Sequence, residues 1–416
     1  MIIAGEASGD LHGAHLAARL RQSLPHVELY GIGSRMMCEA GVQLLYDSSA
    51  WSAIGISEAG KVFPRLLLAF RKLGNFLKAN PPDVLVLIDF GFFNVRVGRK
   101  LCPPGTKVLY YLPPGSWRRN SDYAHLKGIP DRVVTQFPWS AQSLVENGFK
   151  ADFFGHPLLD ITKPGLSREE FCERFGFDPQ RPIIGLLPGS RKQEIENNLP
   201  ALLISAARMH KAAPDLQFAV PMAASVNMNS VARELKGIPW VDVESYSAGN
   251  DSKSGIGELS IAGRVSAIAR EDGFDIPTSA ITVKLLPGMA CDILAHSRAA
   301  LVTSGTATLE AAILGCPMVI VYRGTRLAEL EFKLRGKNIK FIGMPNIILD
   351  RAACPELILK DATPARMAEL MSKLIPDSPE RAKMLSDLAE VKVILGSPGA
   401  INKTADVVLE LLVPRQ

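Results

Sequence analysis

The hydrophobic positions of this chain fall into short apolar runs and longer stretches of helical period, joined by glycine-containing turns. The clearest unit is Ala299–Tyr322, in which the apolar run Ala299–Thr303 meets the turn Ser304-Gly305-Thr306. A helix is predicted over Ala307–Leu314, and a second β-branched run begins after Pro317. Uninterrupted apolar runs are typical of strands buried on both faces of a parallel sheet. The pattern therefore predicts an α/β fold.

The same unit recurs in two successive groups along the chain. The apolar strand runs are Met1–Gly5, His26–Ile32, Asp83–Ile88, Lys107–Leu112, Arg132–Gln136 and Ala151–Phe154 in the first group, and Pro182–Leu187, Gln217–Val220, Ile281–Leu285 and Ala299–Thr303 in the second. Prolines punctuate 161–181 and predict a linker, and a polar, Gly- and Ser-rich stretch at 245–277 predicts an insertion. We therefore predict two Rossmann-like doubly wound domains, 1–160 and 182–360, that face a cleft, followed by helices over 361–416.

Composition narrows the class of protein. A chain of 416 residues is too long to form a single hydrophobic core of ordinary size, which predicts at least two domains. The net charge is only +5 and no concentrated basic face is evident, which argues against a nucleic-acid partner. Six cysteines are scattered without a Cys-x-x-Cys pair, and no Asp-x-Asp pair occurs, so we expect a reduced cytosolic chain without a metal site. No signal sequence and no apolar run of spanning length is present, which indicates a soluble protein or one on a membrane surface.

Two glycine turns at the carboxyl ends of predicted strands favour anion binding. Gly189-Ser190-Arg191 precedes one predicted helix, and Ser304-Gly305-Thr306 precedes another. Free N–H groups and the dipole at a helix start attract phosphate, whereas the cation Arg191 opposes that dipole unless an anion lies between. One turn further on, Glu310 could accept hydrogen bonds from sugar or ribose hydroxyls. A βα turn with Ser304 and Thr306 as simple N-caps is the alternative.

Acidic residues follow two strands of the first group. Asp89 comes directly after an apolar run, where ligands collect in a parallel sheet, and an apolar neighbourhood would raise its pKa toward that of a useful general base. Capping the helix predicted from about Asn94 is its alternative role. Glu6 and Asp10 lie at the first glycine turn as capping acids or substrate-binding groups, and His156 is a substrate contact or a structural residue.

One predicted helix, Ile54–Phe76, combines apolar and cationic side chains. Its apolar residues Val62, Phe63, Leu66, Leu67, Leu68 and Phe70 lie among Lys61, Arg65, Arg71 and Lys72. This pattern suits a helix resting in a membrane interface that admits acyl chains, or a core-facing helix whose cations reach solvent. The stiff loop Pro113–Arg119 adds Trp117 and two arginines.

Several motifs occur in the order of one known family. They are GEASGD at Gly5–Asp10, IDFGFFN at Ile88–Asn94, GHP at Gly155–Pro157, LLPGSR at Leu186–Arg191, SGTATLEAAILGCPMVIVYR at Ser304–Arg323, and PNIILDR with PEL at Pro345–Leu357. The chain thereby resembles bacterial lipid-A-disaccharide synthases over nearly its whole length outside the insertion. The resemblance implies the type B glycosyltransferase (GT-B) fold, with an acceptor and membrane side in the first domain and a UDP-sugar site in the second.

The resemblance further implies an inverting hexosyltransferase that needs no cofactor. The family condenses UDP-2,3-diacylglucosamine with 2,3-diacylglucosamine 1-phosphate, which gives a β-1,6-linked lipid A disaccharide 1-phosphate and UDP. It implies a peripheral protein on the cytoplasmic face of the inner membrane. It also implies a homodimer with exchanged C-terminal elements, and helices 361–416 that pack back on their own chain are the alternative.

Matched position by position, the motifs imply roles for individual residues. Asp89 resembles the essential aspartate that acts as base for the attacking 6-hydroxyl, and Glu6 resembles the acid of the glycine turn. Arg191 resembles the arginine of the diphosphate site, and Glu310 and Asn346 resemble donor-side residues. The expected donor site comprises Gly189, Ser190, Arg191, Ser304, Gly305, Thr306, Glu310 and Asn346, and the expected acceptor and membrane side comprises Phe63, Leu66, Leu67, Phe70, Arg71 and Trp117.

Three departures from the family pattern keep other functions open. The usual PDFN is Gly91–Asn94 here, the usual SPSVWAW loop is Pro113–Arg119, and the insertion at 245–277 is atypical. A divergent paralogue with another acceptor, a UDP-sugar 2-epimerase or hydrolase of the same fold, and a non-enzymatic paralogue that binds nucleotide or lipid are the alternatives.

Overall fold

The computed structural model describes residues 1–52, 59–119, 121–222, 241–242, 246–247, 256–261, 281–324 and 340–413, and for residues 50, 52, 59–63 and 241–261 it describes the backbone alone. The chain divides into two compact units. Unit 1 comprises Met1–Ile161 and Val393–Gln416, and unit 2 comprises Thr162–Lys392. Each unit is built around its own mainly parallel sheet.

Unit 1 contains a parallel sheet with the strand order β3-β2-β1-β4-β5-β6-β7. These strands are β1 Ile2–Ala4, β2 Tyr30–Gly33, β3 Gln43–Asp47, β4 Val84–Ile88, β5 Lys107–Tyr111, β6 Arg132–Thr135 and β7 Ala151–Phe153. The helices are Ala7–Ser23, Arg35–Glu39, Ser49–Ser52, Ala59–Ala79, Gly91–Lys100, Pro138–Glu146, Leu158–Ile161 and Ala400–Leu412, with a 3₁₀ turn at Ala124–Leu126. The strand order reverses between β1 and β4, which is the point where such sheets bind ligands.

Both faces of the unit 1 sheet are covered, so its central strands are apolar throughout. Alternate residues of β4 point to opposite faces, and all five are buried. Leu85 and Leu87 pack with Leu73 and Leu77 of the Ala59–Ala79 helix on one face. On the other face the sheet packs against the first helix and the last helix, Ala400–Leu412. The resulting core keeps the carboxyl end of β4 fixed.

Unit 2 has a parallel sheet in the order β13-β9-β8-β14-β15-β16, extended by antiparallel strands at the β13 side. The strands are β8 Ile183–Leu187, β9 Gln217–Met222, β10 Val241–Asp242, β11 Tyr246–Ser247, β12 Ile256–Ile261, β13 Ile281–Pro287, β14 Ala299–Thr303, β15 Met318–Tyr322 and β16 Glu356–Ile358. The helices are Arg168–Phe175, Lys192–Ala212, Ala290–His296, Thr306–Ile313, Met344–Leu349, Pro364–Ser372 and Pro379–Ile394, with a 3₁₀ turn at Leu359–Asp361. The order reverses between β8 and β14, so this unit has its own switch point.

The predicted α/β class and its parallel strands are confirmed, while several boundaries differ. β3 and β16 were not predicted, because β3 mixes polar with apolar residues and β16 is three residues long. Most of the stretch predicted as an insertion, 245–277, lies outside the described residues, and its described parts 246–247 and 256–261 are antiparallel strands. Within the described part of the chain, no helix is both long and apolar enough to span a membrane.

The C-terminal helix Ala400–Leu412 belongs to unit 1 and is tied to it by one carboxylate. Asp160 accepts hydrogen bonds from the backbone N–H of Gly399 and of Ile401, the latter at 2.8 Å. Beside it, the N–H of His156 donates to the carbonyl of Leu395 at 2.8 Å. A carboxylate at a helix start satisfies N–H groups that have no partner inside the helix and interacts favourably with its dipole.

Asp160→Ala is therefore expected to lower the free energy of unfolding of unit 1 by about 1 to 2 kcal/mol, the usual cost of losing a helix cap. Asp160→Asn should cost less, because its amide oxygen still accepts one bond. Urea unfolding followed by circular dichroism measures both. Asp406→Ala, which removes an exposed acid from the same helix, is the control, and equal midpoints for Asp160→Ala and this control would contradict the capping role.

Candidate active site

In unit 1, two carboxylates meet at the switch point of the sheet. Glu6 follows β1 and Asp89 follows β4, and these strands are paired up to Ala4 and Ile88. Asp89 is half-buried. Burial, and to a smaller degree the neighbouring charge of Glu6, raise the pKa of Asp89 to about 6, although a backbone hydrogen bond from Phe90 opposes the shift. A carboxylate with this pKa can accept a proton near neutral pH.

The backbone that carries Asp89 is strained and held by side chains. Asp89 and Phe90 have φ values of 45° and 44°, in the left-handed region that non-glycine residues seldom adopt. The amide of Asn94 donates to the carbonyls of Ile88 and Asp89, both at 2.9 Å. The hydroxyl of Tyr110 donates to the Asp89 carbonyl at 3.0 Å. Three hydrogen bonds to two carbonyls thus fix the turn.

Aromatic packing fixes the same turn from the other side. The ring of Phe90 stacks on Trp51 with the ring centroids 5.6 Å apart, and Trp51 in turn stacks on Tyr46 at 5.4 Å. Phe90 also presses on Gly5, where an added Cβ would lie 2.2 Å from the ring. Only glycine permits this approach, so Gly5 is what allows the β1 and β4 turns to touch.

Two other titratable residues of unit 1, Asp10 and His156, were each predicted to have either a substrate-binding or a structural role. Asp10 is buried and accepts hydrogen bonds from the N–H of Ser34 at 2.6 Å and Met36 at 3.1 Å, so it caps the helix after β2. His156 is buried, its Nδ1 accepts from the N–H of Leu158 at 3.2 Å, and burial lowers its pKa to about 3. Neither side chain is available to a substrate. Of the two roles predicted for Asp10 and for His156, each residue has the structural one.

The predicted acceptor-side residues are divided between the core and the surface. On the Ala59–Ala79 helix, Leu66 and Phe70 pack against the core of unit 1, whereas Leu67 is 41% exposed and Arg71 is exposed. Leu68, beside them, is 50% exposed. The side chain of Phe63 lies outside the described residues. Trp117 is 37% exposed, in the loop after β5.

In unit 2, the two predicted anion turns are neighbours. β8 and β14 pair up to Leu187 and Val302, so Gly189-Ser190-Arg191 and Ser304-Gly305-Thr306 follow adjacent strands at the switch point. The helix after β14 has Gly305 at its N-cap without a side-chain cap, and Gly305 and Thr306 are exposed. Ser304 instead donates its hydroxyl to the carbonyl of Ile342 at 2.8 Å. The predicted capping by Ser304 and Thr306 was thus wrong, and the start of this helix is open to an anion.

The other turn contains an internal counter-ion that sequence reasoning missed. Glu194 accepts hydrogen bonds from the N–H of Ser190 at 2.9 Å and of Arg191 at 3.1 Å. It also pairs with the guanidinium of Arg191, N to O 3.7 Å, whose side chain is 52% exposed. Gly189 has φ of 108° and packs against Glu194. The predicted conflict between Arg191 and the helix dipole is therefore offset in part by Glu194, and its three-residue spacing from Arg191 was the available signal.

The two remaining donor-side residues differ in accessibility. Glu310 is half-buried, burial raises the pKa of its carboxyl, and no other described residue hydrogen bonds to that carboxyl. Asn346 is fully buried. Its Nδ2 donates to the Cys354 carbonyl and to Glu356, and its Oδ1 accepts from the N–H of Ala353 and Cys354, all at 2.8 Å. Every hydrogen-bonding position of Asn346 is thus used inside the protein.

Asp89→Asn is expected to stabilise the protein in a pH-dependent manner. Because the folded-state pKa of Asp89 is raised from 3.8 to about 6, ionisation costs stability as the pH rises between these values. The variant should exceed the wild type by about 1 to 2 kcal/mol above pH 6, less than the roughly 3 kcal/mol equivalent of two pKa units because the group is partly solvated. This difference in the free energy of unfolding should vanish near pH 4. Thermal unfolding from pH 4 to 8 measures it, with Asp406→Asn as the exposed control, and a gap that does not change with pH would refute the buried charge.

A family model and full-length relatives match this chain. The sequence profile described as lipid-A-disaccharide synthetase matches residues 1–239 and 275–405. Lipid-A-disaccharide synthases of Geobacter sulfurreducens and Myxococcus xanthus are 34% and 32% identical to this chain, covering 99% and 100% of it and 97% of their own length. Residues 240–274, between the two matched stretches, lie largely within the predicted insertion.

Solved structures share the fold at low identity. The chain is similar to S. aureus MnaA in its co-structure with UDP, with a TM-score of 0.60 and 12% identity over 100% of this chain and 98% of that one. It is similar to WaaG, a glycosyltransferase involved in lipopolysaccharide biosynthesis, with a TM-score of 0.53 and 12% identity over 98% of this chain and 98% of that one. These neighbours support two Rossmann-like domains of the GT-B class. The match to the family profile and the full-length identity go further, and the chain belongs to the lipid-A-disaccharide synthetase family of glycosyltransferases of lipid A biosynthesis.

Proposed function

We propose that the chain transfers a 2,3-diacylglucosamine unit from UDP to the 6-hydroxyl of 2,3-diacylglucosamine 1-phosphate, with inversion, forming the lipid A disaccharide 1-phosphate and UDP. Membership of the family supports this reaction. The observation that carries it is the half-buried carboxylate of Asp89, with a pKa of about 6, on a fixed turn at the unit 1 switch point. An inverting transfer to a hydroxyl needs such a base.

In the proposed step, Asp89 takes the proton of the acceptor 6-hydroxyl while that oxygen attacks the anomeric carbon of the donor. The bond from the anomeric carbon to the diphosphate oxygen breaks, and UDP leaves with the electron pair. Glu6 acts on this step through its charge, which holds the pKa of Asp89 closer to the working pH. Unlike a free aspartate, Asp89 is then a base strong enough to assist at neutral pH.

The leaving diphosphate requires positive charge, which unit 2 offers. We propose that Arg191 and the open helix start at Ser304-Gly305-Thr306 hold it, and that Glu310 accepts from the ribose or sugar hydroxyls. Gly189 and Ser190 let the phosphates approach the backbone. Asn346 is proposed as a positioning residue, because its saturated amide ties the 342–346 segment to Glu356 and so supports the bond from Ser304 to Ile342.

The acyl chains of both substrates favour action at a membrane. We propose that the exposed Leu67, Leu68, Arg71 and Trp117 face the lipid phase, and that the protein is peripheral on the cytoplasmic face of the inner membrane. The apolar and cationic mixture of this surface suits anionic lipid headgroups. A homodimer is proposed on the family resemblance alone.

Replacing Asp89 is expected to abolish most of the transfer. Asp89→Asn should lower kcat about 10²- to 10⁴-fold, the usual contribution of a general base. Purified protein is incubated with UDP-2,3-diacylglucosamine, with and without 2,3-diacylglucosamine 1-phosphate, and UDP and lipid products are followed by mass spectrometry. UDP release by the wild type without acceptor would instead favour a hydrolase.

The pH dependence of kcat/KM tests whether Asp89→Asn lowers kcat because it removes a general base. Wild-type kcat/KM should fall below about pH 6, where Asp89 becomes protonated. Glu6→Gln removes a neighbouring negative charge and should move this acidic limb to lower pH. An unchanged limb in Glu6→Gln, or an Asp89→Asn enzyme of wild-type kcat, would contradict the proposed roles.

Arg191→Gln is expected to weaken UDP binding about tenfold or more, because a charge-assisted hydrogen bond to the diphosphate is lost. Uridine, which lacks the diphosphate, should bind wild type and variant equally. Titration calorimetry measures both ligands. Lys192→Gln is the matched control, since it removes the adjacent cation, which pairs with Glu196 at 3.4 Å. A loss of affinity for uridine as well would indicate a damaged turn instead of a diphosphate contact.

A further inference from the structure

Three arginines stack on aromatic rings in the segments that follow β4, β5 and β6 of unit 1. The guanidinium of Arg96 lies 3.9 Å from the ring centre of Phe92, that of Arg118 lies 4.7 Å from Trp117, and that of Arg119 lies 4.5 Å from Trp139. These segments follow neighbouring strands at their carboxyl ends, the edge that carries Asp89. This edge is therefore cationic and aromatic beside a candidate base.

Arg118 differs from the other two in having its donors available. Arg96 already donates to the carbonyl of Phe92 at 2.5 Å, and Arg119 has further contacts. Within the described residues, the guanidinium of Arg118 has no hydrogen bond and no carboxylate partner; its only contact of this kind is the stack on Trp117. Stacking limits the motion of the guanidinium while leaving its N–H edge free, an arrangement suited to bidentate binding of a phosphate.

The loop that carries Arg118 is fixed next to the Asp89 turn. Pro114 packs on Gly91, two residues after Asp89, so closely that a Cβ at Gly91 would lie 2.6 Å from it. Ser116 is fully buried and accepts from Gln136 at 3.0 Å, and the N–H of Arg118 donates to the carbonyl of Gly115 at 2.9 Å. Four residues span at most about 14 Å, and a turn spans less. Arg118 thus lies on a loop that packs against the Asp89 turn, at the same end of the sheet.

We infer that Arg118, held by Trp117, binds the phosphomonoester of the acceptor and makes the enzyme selective for a 1-phosphorylated acceptor. This inference rests on the proposed function, which supplies an acceptor whose 1-phosphate and 6-hydroxymethyl group are borne by the two carbons that flank the ring oxygen of one sugar. The hydroxyl then lies at Asp89 and the phosphate at Arg118. The proposed ligands of the donor diphosphate are residues of unit 2.

Kinetics with varied acceptor test the inference. Arg118→Gln should raise the acceptor KM about tenfold, with kcat and the donor KM within about twofold of wild type, because one charge-assisted contact is lost. Arg118→Lys should recover part of the affinity through its charge. Arg174→Gln is the control, since it removes another exposed arginine stacked on an aromatic ring, 5.5 Å from Phe175 in unit 2. Equal KM values for Arg118→Gln and the control would overturn the inference.

Binding measurements separate this inference from the proposed function and from membrane binding. Short-chain 2,3-diacylglucosamine with and without its 1-phosphate is titrated into each protein. The wild type should prefer the phosphorylated form, and Arg118→Gln should lose that preference, an outcome that supports the inference even if the wild type makes no disaccharide and the proposed function fails. An unchanged preference overturns it. So does a variant that loses only its binding to phosphatidylglycerol vesicles, since Arg118 would then contact membrane phosphate.

Discussion

The left-handed turn at Asp89 and Phe90 is the constraint on which the unit 1 site depends. Two consecutive non-glycine residues in this conformation cost about 1 to 2 kcal/mol each. Bonds from Asn94 and Tyr110 to the turn carbonyls, and the stack of Phe90 on Trp51, offset that cost. An ordinary strand-to-helix turn would direct the carboxylate elsewhere. The strained backbone thus places the Asp89 carboxylate at the gap between the carboxyl ends of β1 and β4.

The two units use the same topological gap for opposite charges. In unit 1 the gap holds the carboxylates Glu6 and Asp89, and their mutual repulsion and burial keep one of them basic. In unit 2 the gap holds the cation Arg191 and an uncapped helix start. A transfer that removes a proton from one substrate and releases an anionic diphosphate from the other requires both kinds of environment. The doubly wound fold therefore determines where the turns lie, and the residues of each turn determine its charge and its reactivity.

The sequence predicted what short-range patterns determine. The run before Asp89 is apolar throughout, so its burial and the exposure of its carboxyl end followed from periodicity, as did the turns at Arg191 and Thr306. Such local patterns do not predict contacts between segments that lie far apart in the sequence. Asp10 caps a helix that begins 25 residues later in the chain, at Arg35, and Asn346 is saturated by a loop and by Glu356. Neither partner is visible from the local sequence.

The Ala59–Ala79 helix illustrates a second limit of sequence patterns. Leu66 and Leu67 are adjacent and equally apolar, yet one packs in the core and the other is exposed. The apolar cluster is wider than one helix face, so periodicity alone could not separate core from surface. The positive φ values of Asp89 and Phe90 were likewise not predicted, because aspartate tolerates this conformation without requiring it, phenylalanine seldom adopts it, and the supporting bonds come from Asn94 and Tyr110.

Glu194 has a consequence for how a diphosphate would bind. It already occupies the N–H groups of Ser190 and Arg191 and pairs with the Arg191 guanidinium. If the diphosphate takes these N–H groups, it displaces this carboxylate, and part of the binding free energy replaces an existing interaction. In that case the affinity for UDP is lower than it would be at an uncapped helix start, and Glu194 caps the helix again when UDP departs. A glycosyltransferase releases UDP in every turnover, and a tightly held product would limit kcat. A carboxylate that replaces the diphosphate at these N–H groups therefore favours product release.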